Sequence, residues 1–387
     1  MMLIKNTHKK HGLALAVATM MLTPWALAAD VNVSGFLSVG GGMVDDENSV
    51  SYDGYSEEDL TFDRNLLGLQ VTGQVSEKIS ATAQLIARSE KDYEVTAEWA
   101  YLTWQASDNG KVRAGRLRTP LYMYSDYLDV GYSYPWISAP NEVYYLPFNN
   151  VDGVDYYVTG ALGSFDTSFQ AYFGSFDSEF AFEDGTEGFA SLRNQMGVAA
   201  TFGKDWWNFR AAYHQADLTV DIFSDDLTAL VAGLAASPFA SKVADITINE
   251  DKATFGQIGL NIDTGMFVAA AEHVEFEVKD TLLAKNVRDY VMVGVRVGDF
   301  LFHVTGSKAD DEIVEGLADG IPASPQTQPL INGLNAAAAA RDVDREVISF
   351  GTRWDVASGT ALKFQVDDVD DIKGEQKVYS VALQAVF

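Results

Sequence analysis

The stretch "KVYSVALQAVF" (Lys377–Phe387) alternates along its whole length. Tyr379, Val381, Leu383, Ala385 and Phe387 fall on one face, and Ser380, Ala382, Gln384 and Val386 on the other. A period of two belongs to a β-strand, because successive side chains point to opposite sides of the pleat. The strand runs to an aromatic residue at the very end of the sequence, an ending that soluble domains seldom have.

The same alternation recurs upstream. Val31, Val33, Gly35, Leu37 and Val39 alternate with Asn32, Ser34, Phe36 and Ser38. Trp207, Phe209, Ala211 and Tyr213 oppose Asn208, Arg210 and His214, and Leu362, Phe364 and Val366 oppose Lys363 and Gln365. The pattern predicts strands near 31–41, 62–75, 79–89, 94–106, 111–118, 151–161, 165–174, 190–202, 206–216, 250–262, 266–278, 287–297, 300–307, 345–355, 360–367 and 377–387. Most match the roughly ten residues that a tilted strand needs to cross a bilayer, whereas strands of soluble proteins average about five or six. Parity is ambiguous near 94–106 and 266–278.

The connections alternate in length as well. Short turns such as "SDNG" (107–110), "LGS" (162–164) and "GD" (298–299) separate long acidic stretches. Four of these, 44–63, 176–189, 310–320 and 367–375, are expected to be external loops, read as solvated charge or as sites for divalent cations bridging to lipopolysaccharide. Short helices are expected within 225–246 and 331–342. The fold class is therefore all-β: a transmembrane antiparallel β-barrel of about sixteen strands with a polar interior.

The N-terminus has a different character. Lys5, Lys9 and Lys10 precede the apolar run Leu13–Leu22, and Ala26-Leu27-Ala28 is a small-x-small site. That layout predicts a signal peptide over 1–28, cleaved after Ala28, leaving a barrel over 29–387. The full sequence carries 27 basic and 55 acidic residues, net −28. Loss of three lysines takes the mature net charge to −31, which repels nucleic acid. With no cysteine, thiolate metal sites and disulfides are excluded. No cofactor or metal is expected. The sequence contains no G-x-S-x-G elbow, phosphate loop or dinucleotide motif. A serine–histidine hydrolase would have to use His214, His273 or His303, and no enzyme activity is expected.

The segment "KVRAGRLRTPLYMYSDY" (111–127) follows the fifth strand and loses the period. It resembles the strand-to-loop segment of trimeric Gram-negative outer-membrane porins, and the terminal Phe387, with Tyr379, Val381 and Leu383, resembles the C-terminal signature through which such barrels meet their assembly machinery. The resemblance implies an outer-membrane homotrimer among lipid and lipopolysaccharide, passing small polar solutes and ions. It also implies a third loop, 120–150, folded into the lumen as a constriction. On that resemblance Arg116 matches the arginine of the family's Gly-Arg pair, with Arg113 and Arg118 beside it. Arg64 and Arg88 extend a basic wall, and Asp126, Asp129 and Glu142 supply opposing loop acids. Strict alternation puts Arg113 inward and Arg116 outward. The loop aromatics, Tyr122, Tyr124, Tyr127 and Trp136 among them, either wedge the loop against the wall or stack sugars in an oligosaccharide-specific channel.

Overall fold

A computed structural model describes residues 30–46, 52–62, 64–181, 186–279, 281–283, 285–312 and 314–387; the segment expected to be a signal peptide lies outside them. Sixteen antiparallel strands close into one barrel, each paired with its sequence neighbours, and β1 closes on β16. They are β1 Val31–Val44, β2 Leu66–Ser76, β3 Ile79–Arg88, β4 Val95–Gln105, β5 Gly110–Arg118, β6 Asn150–Leu162, β7 Phe165–Ala181 and β8 Glu187–Lys204. The second half comprises β9 Trp207–Ile222, β10 Ile248–Asp263, β11 Phe267–Val278, β12 Lys285–Val297, β13 Phe300–Glu312, β14 Asp344–Ala357, β15 Thr360–Asp371 and β16 Gly374–Val386. One rim carries only short turns, such as 163–164 and 298–299. The other carries loops 1 to 8: 45–65, 89–94, 119–149, 182–186, 223–247, 279–284, 313–343 and 372–373.

The alternation sorts side chains between two solvents. Val291, Val293, Phe302, Ile348, Phe350, Phe364 and Tyr379 point outward and are 42–59% exposed. Such large side chains recur around the circumference as a continuous apolar belt. A surface of that kind is stable against lipid tails and not against water. Aromatics gather at the short-turn rim, where Phe165, Phe202 and Trp207 pack together and Phe300 stacks on Trp354 at 5.5 Å. Inside, polar groups pair across strands: Gln84 donates to Gln70 and Thr72 contacts Thr82, each at 3.1 Å.

Two expectations need correction. The acidic stretches 176–189 and 367–375 are largely strand: β7 and β8 carry the first, and β15 and β16 meet across the turn at 372–373. Outward charges on them pair across strands, as Arg193 with Asp177 at 2.8 Å and Lys377 with Asp368 at 3.2 Å, while Asp367 and Asp371 are buried on the inner face beside Gln365 and Arg345. The ambiguous parity of 94–106 has a cause. Gln84 pairs with Trp99 and Leu85 with Ala97, so Glu98 is an extra bulged residue, and its carboxylate reaches Arg88.

The expected helices are present. Loop 5 carries α1 Asp225–Ala235 and α2 Val243–Ile246, and loop 7 carries α3 Gln328–Ala339. Ser224 caps α1 by accepting from the Leu227 amide. The helices α1 and α3 share the pattern L-x-x-G-L, at Leu230–Leu234 and Leu330–Leu334. Leu330 sits over Gly233 and Leu230 over Gly333, so close that a Cβ at either glycine would lie 3.0 or 2.7 Å from the leucine. Leu234 and Leu334 are fully buried in a small core that also takes in Leu282 of loop 6 and Leu317 of loop 7.

Candidate functional site

Loop 3 leaves β5 through a break in the pleat. Gly115 has φ +135°, and a Cβ there would lie 2.2 Å from the Ala100 carbonyl oxygen, so only glycine fits. The loop then crosses the barrel interior and beds against inward faces of the wall. Leu121, Tyr122, Tyr124, Tyr134, Trp136, Val143, Leu146 and Phe148 form one buried cluster with wall residues that include Phe255, Val274, Phe276 and Tyr290. This seat accounts for the ambiguous parity of 266–278, because β11 is apolar on its inner face too. The Trp136 indole N–H donates to Thr305 on β13 at 2.7 Å, and its ring meets Tyr290 edge-on at 5.4 Å.

The sugar-stacking expectation is therefore corrected for three of its residues. Tyr122 and Trp136 are 1% exposed and Tyr124 is 4% exposed, so their faces are covered by the wall. Tyr127 is half-buried and packs on Tyr124 at 5.5 Å. These aromatics wedge the loop.

Cations of the wall hold the loop by its backbone. Lys363 on β15, 1% exposed, donates to the carbonyls of Gly131, Tyr134 and Trp136 at 2.6–2.7 Å. Arg353 on β14 donates to Tyr132 and Tyr134, and Arg210 on β9 to Leu121 and Pro120. On β11 the Glu272 carboxylate accepts from the Met123 amide at 2.7 Å and the Tyr144 hydroxyl at 2.5 Å. The sequence reading assigned none of these four a role, because the backbone carbonyls and amide they meet carry no residue signature. Their one visible mark is a lone charge at an inward position, as Lys363 has between Leu362 and Phe364.

The other edge of the loop meets charge with charge. Asp129 accepts from Arg88 at 2.7 Å and from Arg118. Glu98 accepts from Arg88 at 2.7 Å and from Asn150 at 3.1 Å. Burial opposes ionisation of Asp129, but Arg118 and Arg88 outweigh it and hold the carboxyl below its ordinary range.

The remaining expected arginines do not pair with a loop-3 acid. Arg113 binds Asp155 on β6 with two nitrogens, at 3.0 and 2.5 Å, and Gln170 completes that carboxylate. Arg116 pairs with Asp152 on the neighbouring strand at 2.8 Å, both more than a third exposed. Arg64 pairs with Asp53 of loop 1 at 2.6 Å. Across-strand and loop-1 carboxylates lie closer to these three than the loop-3 acids do. Glu142 is 2% exposed and accepts from Ser307 and Tyr52, not from an arginine. Burial raises its carboxyl above the usual range despite the hydrogen bond from Ser307.

Asp126 is the exposed acid of the loop. Its field reaches Arg113 and Lys111 on β5. Lys111 itself lies 4.9 Å over the Tyr157 ring, and Arg113 lies 5.6 Å from the Tyr101 ring. Loop and wall thus bring opposite charges within electrostatic reach of each other there, Asp126 from the loop and Lys111 and Arg113 from the wall. The three histidines are apart: His214 bonds Tyr172, His273 pairs with Asp289, and His303 packs on Trp136.

No family model and no curated protein matches the sequence. Solved structures do. OmpF of Salmonella typhi, in complex with daunomycin, aligns with a TM-score of 0.59 at 12% identity, over 93% of this chain and 98% of that one. A loop L8 deletion form of OmpT, an outer membrane protein of Vibrio cholerae, aligns at 0.55 and 11%, over 93% and 100%. An anion-selective porin from Comamonas acidovorans aligns at 0.54 and 12%, over 93% and 100%. The alignments span nearly the whole of both chains, and this closed barrel of sixteen strands has the fold of the outer-membrane porins.

Proposed function

We propose that the protein is a diffusion channel of the Gram-negative outer membrane, passing small hydrophilic solutes and ions down their gradients without a chemical step. The observation that carries this is a polar inner wall crossed by loop 3, with Asp126 standing free opposite Lys111 and Arg113. A barrel of this size leaves an aqueous path, and charges facing across its narrowing set which ions pass. Because most wall arginines are already neutralised by a bound carboxylate, the narrowing itself is nearly balanced. The mature net charge, −31 once the three lysines of 1–28 are gone from a total of −28, then favours cations at the mouths.

The purified protein in a planar bilayer should give discrete conductance steps, with a reversal potential in a salt gradient that favours cations. Asp126→Asn should shift that potential toward anions. No conductance at all sinks the reading, and an anion-selective wild type sinks the cation assignment. A panel of oligosaccharides should leave the current unblocked, since the aromatic faces that would bind them are covered.

We further assign the assembly as a homotrimer seated in lipid and lipopolysaccharide. The outer face of β2 to β5 supports this, for a shallow concavity lined by Gly73, Ala81, Ala83, Ala100 and Ala114 fits the close approach of a second copy. Cross-linking in the native membrane that yields monomer only would overturn it.

A further inference from the structure

We propose that loop 1 is a second lumenal element, and that Asp53 is the positioning residue that latches it to loop 3, so that two loops together narrow the channel. The inference rests on the channel reading for its functional meaning, but the latch itself stands on geometry.

The segment Tyr52-Asp53-Gly54-Tyr55 is a two-residue turn. Tyr52 and Tyr55 exchange backbone hydrogen bonds of 3.1 and 2.9 Å, and Asp53 and Gly54 have φ of +50° and +80°. Positive φ at both central residues is the geometry that Asp-Gly turns favour, and it makes a stiff tip. The tip points into the barrel. Tyr52 and Tyr55 are 5% and 1% exposed and pack with Val347, Val369 and Val378, on the inward faces of β14, β15 and β16. Inward placement follows from the neighbours of Val347, since Ile348 and Phe350 frame the opposite, lipid-facing parity at 51% and 55% exposure.

The turn directs one carboxylate at loop 3. Asp53 accepts from Ser138 at 2.9 Å and Asn141 at 2.8 Å, both in loop 3, and from Arg64 at 2.6 Å. Beside it the Tyr52 hydroxyl donates to Glu142 at 3.2 Å. Arg64 therefore does not serve as a free pore cation. It completes the latch by charge-assisting the carboxylate that the two loops share. A loop that merely covered the mouth would need neither the left-handed tip nor three converging donors.

The test compares wild type with Asp53→Ala and Asn141→Ala by two readouts. In bilayers, Asp53→Ala should raise single-channel conductance and open-channel noise and admit larger polyethylene glycols. Asn141→Ala should give a smaller change, and the double variant no more than Asp53→Ala. Hydrogen exchange is independent of conduction. The Tyr52 and Tyr55 amides should exchange about tenfold faster in Asp53→Ala, the loss of roughly one charge-assisted hydrogen bond. Unchanged exchange, with heat-resistant folding intact, overturns the latch whatever the currents show. Faster exchange with unchanged conductance, noise and polymer cut-off overturns the claim that loop 1 narrows the path. A wild type that conducts nothing defeats the channel reading and with it the two-loop narrowing, while exchange still decides the latch.

Discussion

The two edges of loop 3 are built from opposite materials. Toward β8–β16 it lies on Phe255, Phe276 and Tyr290 and is pinned through backbone carbonyls by Lys363, Arg353 and Arg210. Toward β3–β6 it offers side-chain carboxylates, Asp129 bound to two arginines and Asp126 bound to none among the described residues. Backbone carbonyls are the same whatever residue bears them, so the cations of the first edge hold the loop by its path, while its aromatics seat it by packing. The second edge depends on which side chain stands where, so selectivity resides there. Holding and selecting are thereby separated on one short segment.

Three substitutions probe that separation, in decreasing order of effect. Asp129→Asn breaks the charged edge by leaving Arg88 and Arg118 with Glu98 alone as their shared acid. Breaking a buried pair from one side costs about 3–5 kcal/mol. Reversal potentials should move toward anions and thermal unfolding should come earlier; an unchanged potential would show that Asp129 lies off the ion path. Lys363→Met breaks the holding edge instead, leaving buried carbonyls without a donor at about 1–3 kcal/mol. Here open-channel noise should rise while the reversal potential stays put. A large selectivity change in this variant would erase the distinction between the edges.

Glu142→Gln is the mildest and acts through pH. Burial raises the Glu142 carboxyl in the folded protein. Its contribution is therefore fully present below the ordinary glutamate value of about 4.3 and is lost as pH rises through the higher folded value. The glutamine keeps the neutral form at every pH. The variant should therefore match wild type in acid and hold loop 3 more firmly at neutral pH, by on the order of 1 kcal/mol. Exchange rates at Asn141–Tyr144, followed from about pH 4 to pH 8, check this; a variant that keeps the wild-type pH slope refutes it. Asp129 behaves the other way: its depressed carboxyl supports the loop at every pH above the ordinary aspartate value and fails only in strong acid.

Much of the barrel was legible because lipid on one side and water on the other impose a period of two on each strand. Tyr379 and Leu383 at the C-terminus declare it, and both are outward. The failures have physical causes. Residues 176–189 and 367–375 look like loops because they are acidic, yet they are largely strand: outward charges such as Asp177 and Asp368 pair across strands, and the inward Asp371 is bound by Arg345. At the site, the sequence allowed Arg88, Arg118 and Asp129 to be grouped but not matched. Which carboxylate an arginine meets depends on register, and Asp155 and Asp152 sit directly across from Arg113 and Arg116. The expectation of an external loop over 44–63 fails at Tyr52–Tyr55, which turn inward, because that turn is four residues long and its seat is a few valines that look like ordinary strand.

The contacts of Lys363 also bear on the order in which the protein matures. Lys363 reaches Gly131 across 232 positions of chain, Arg353 reaches Tyr132 across 221, and Gln384 reaches Ile137 across 247. Contacts so distant form late, since the closure entropy must be met before they contribute. The plug at the centre is only partly seated by the strands that flank it; its carbonyl clamps wait for the last three strands to arrive. A nascent barrel lacking β14 to β16 is thus an open sheet whose loop lacks its Lys363, Arg353 and Gln384 contacts, and closure of the wall and full seating of the loop are completed by the same final segment of chain.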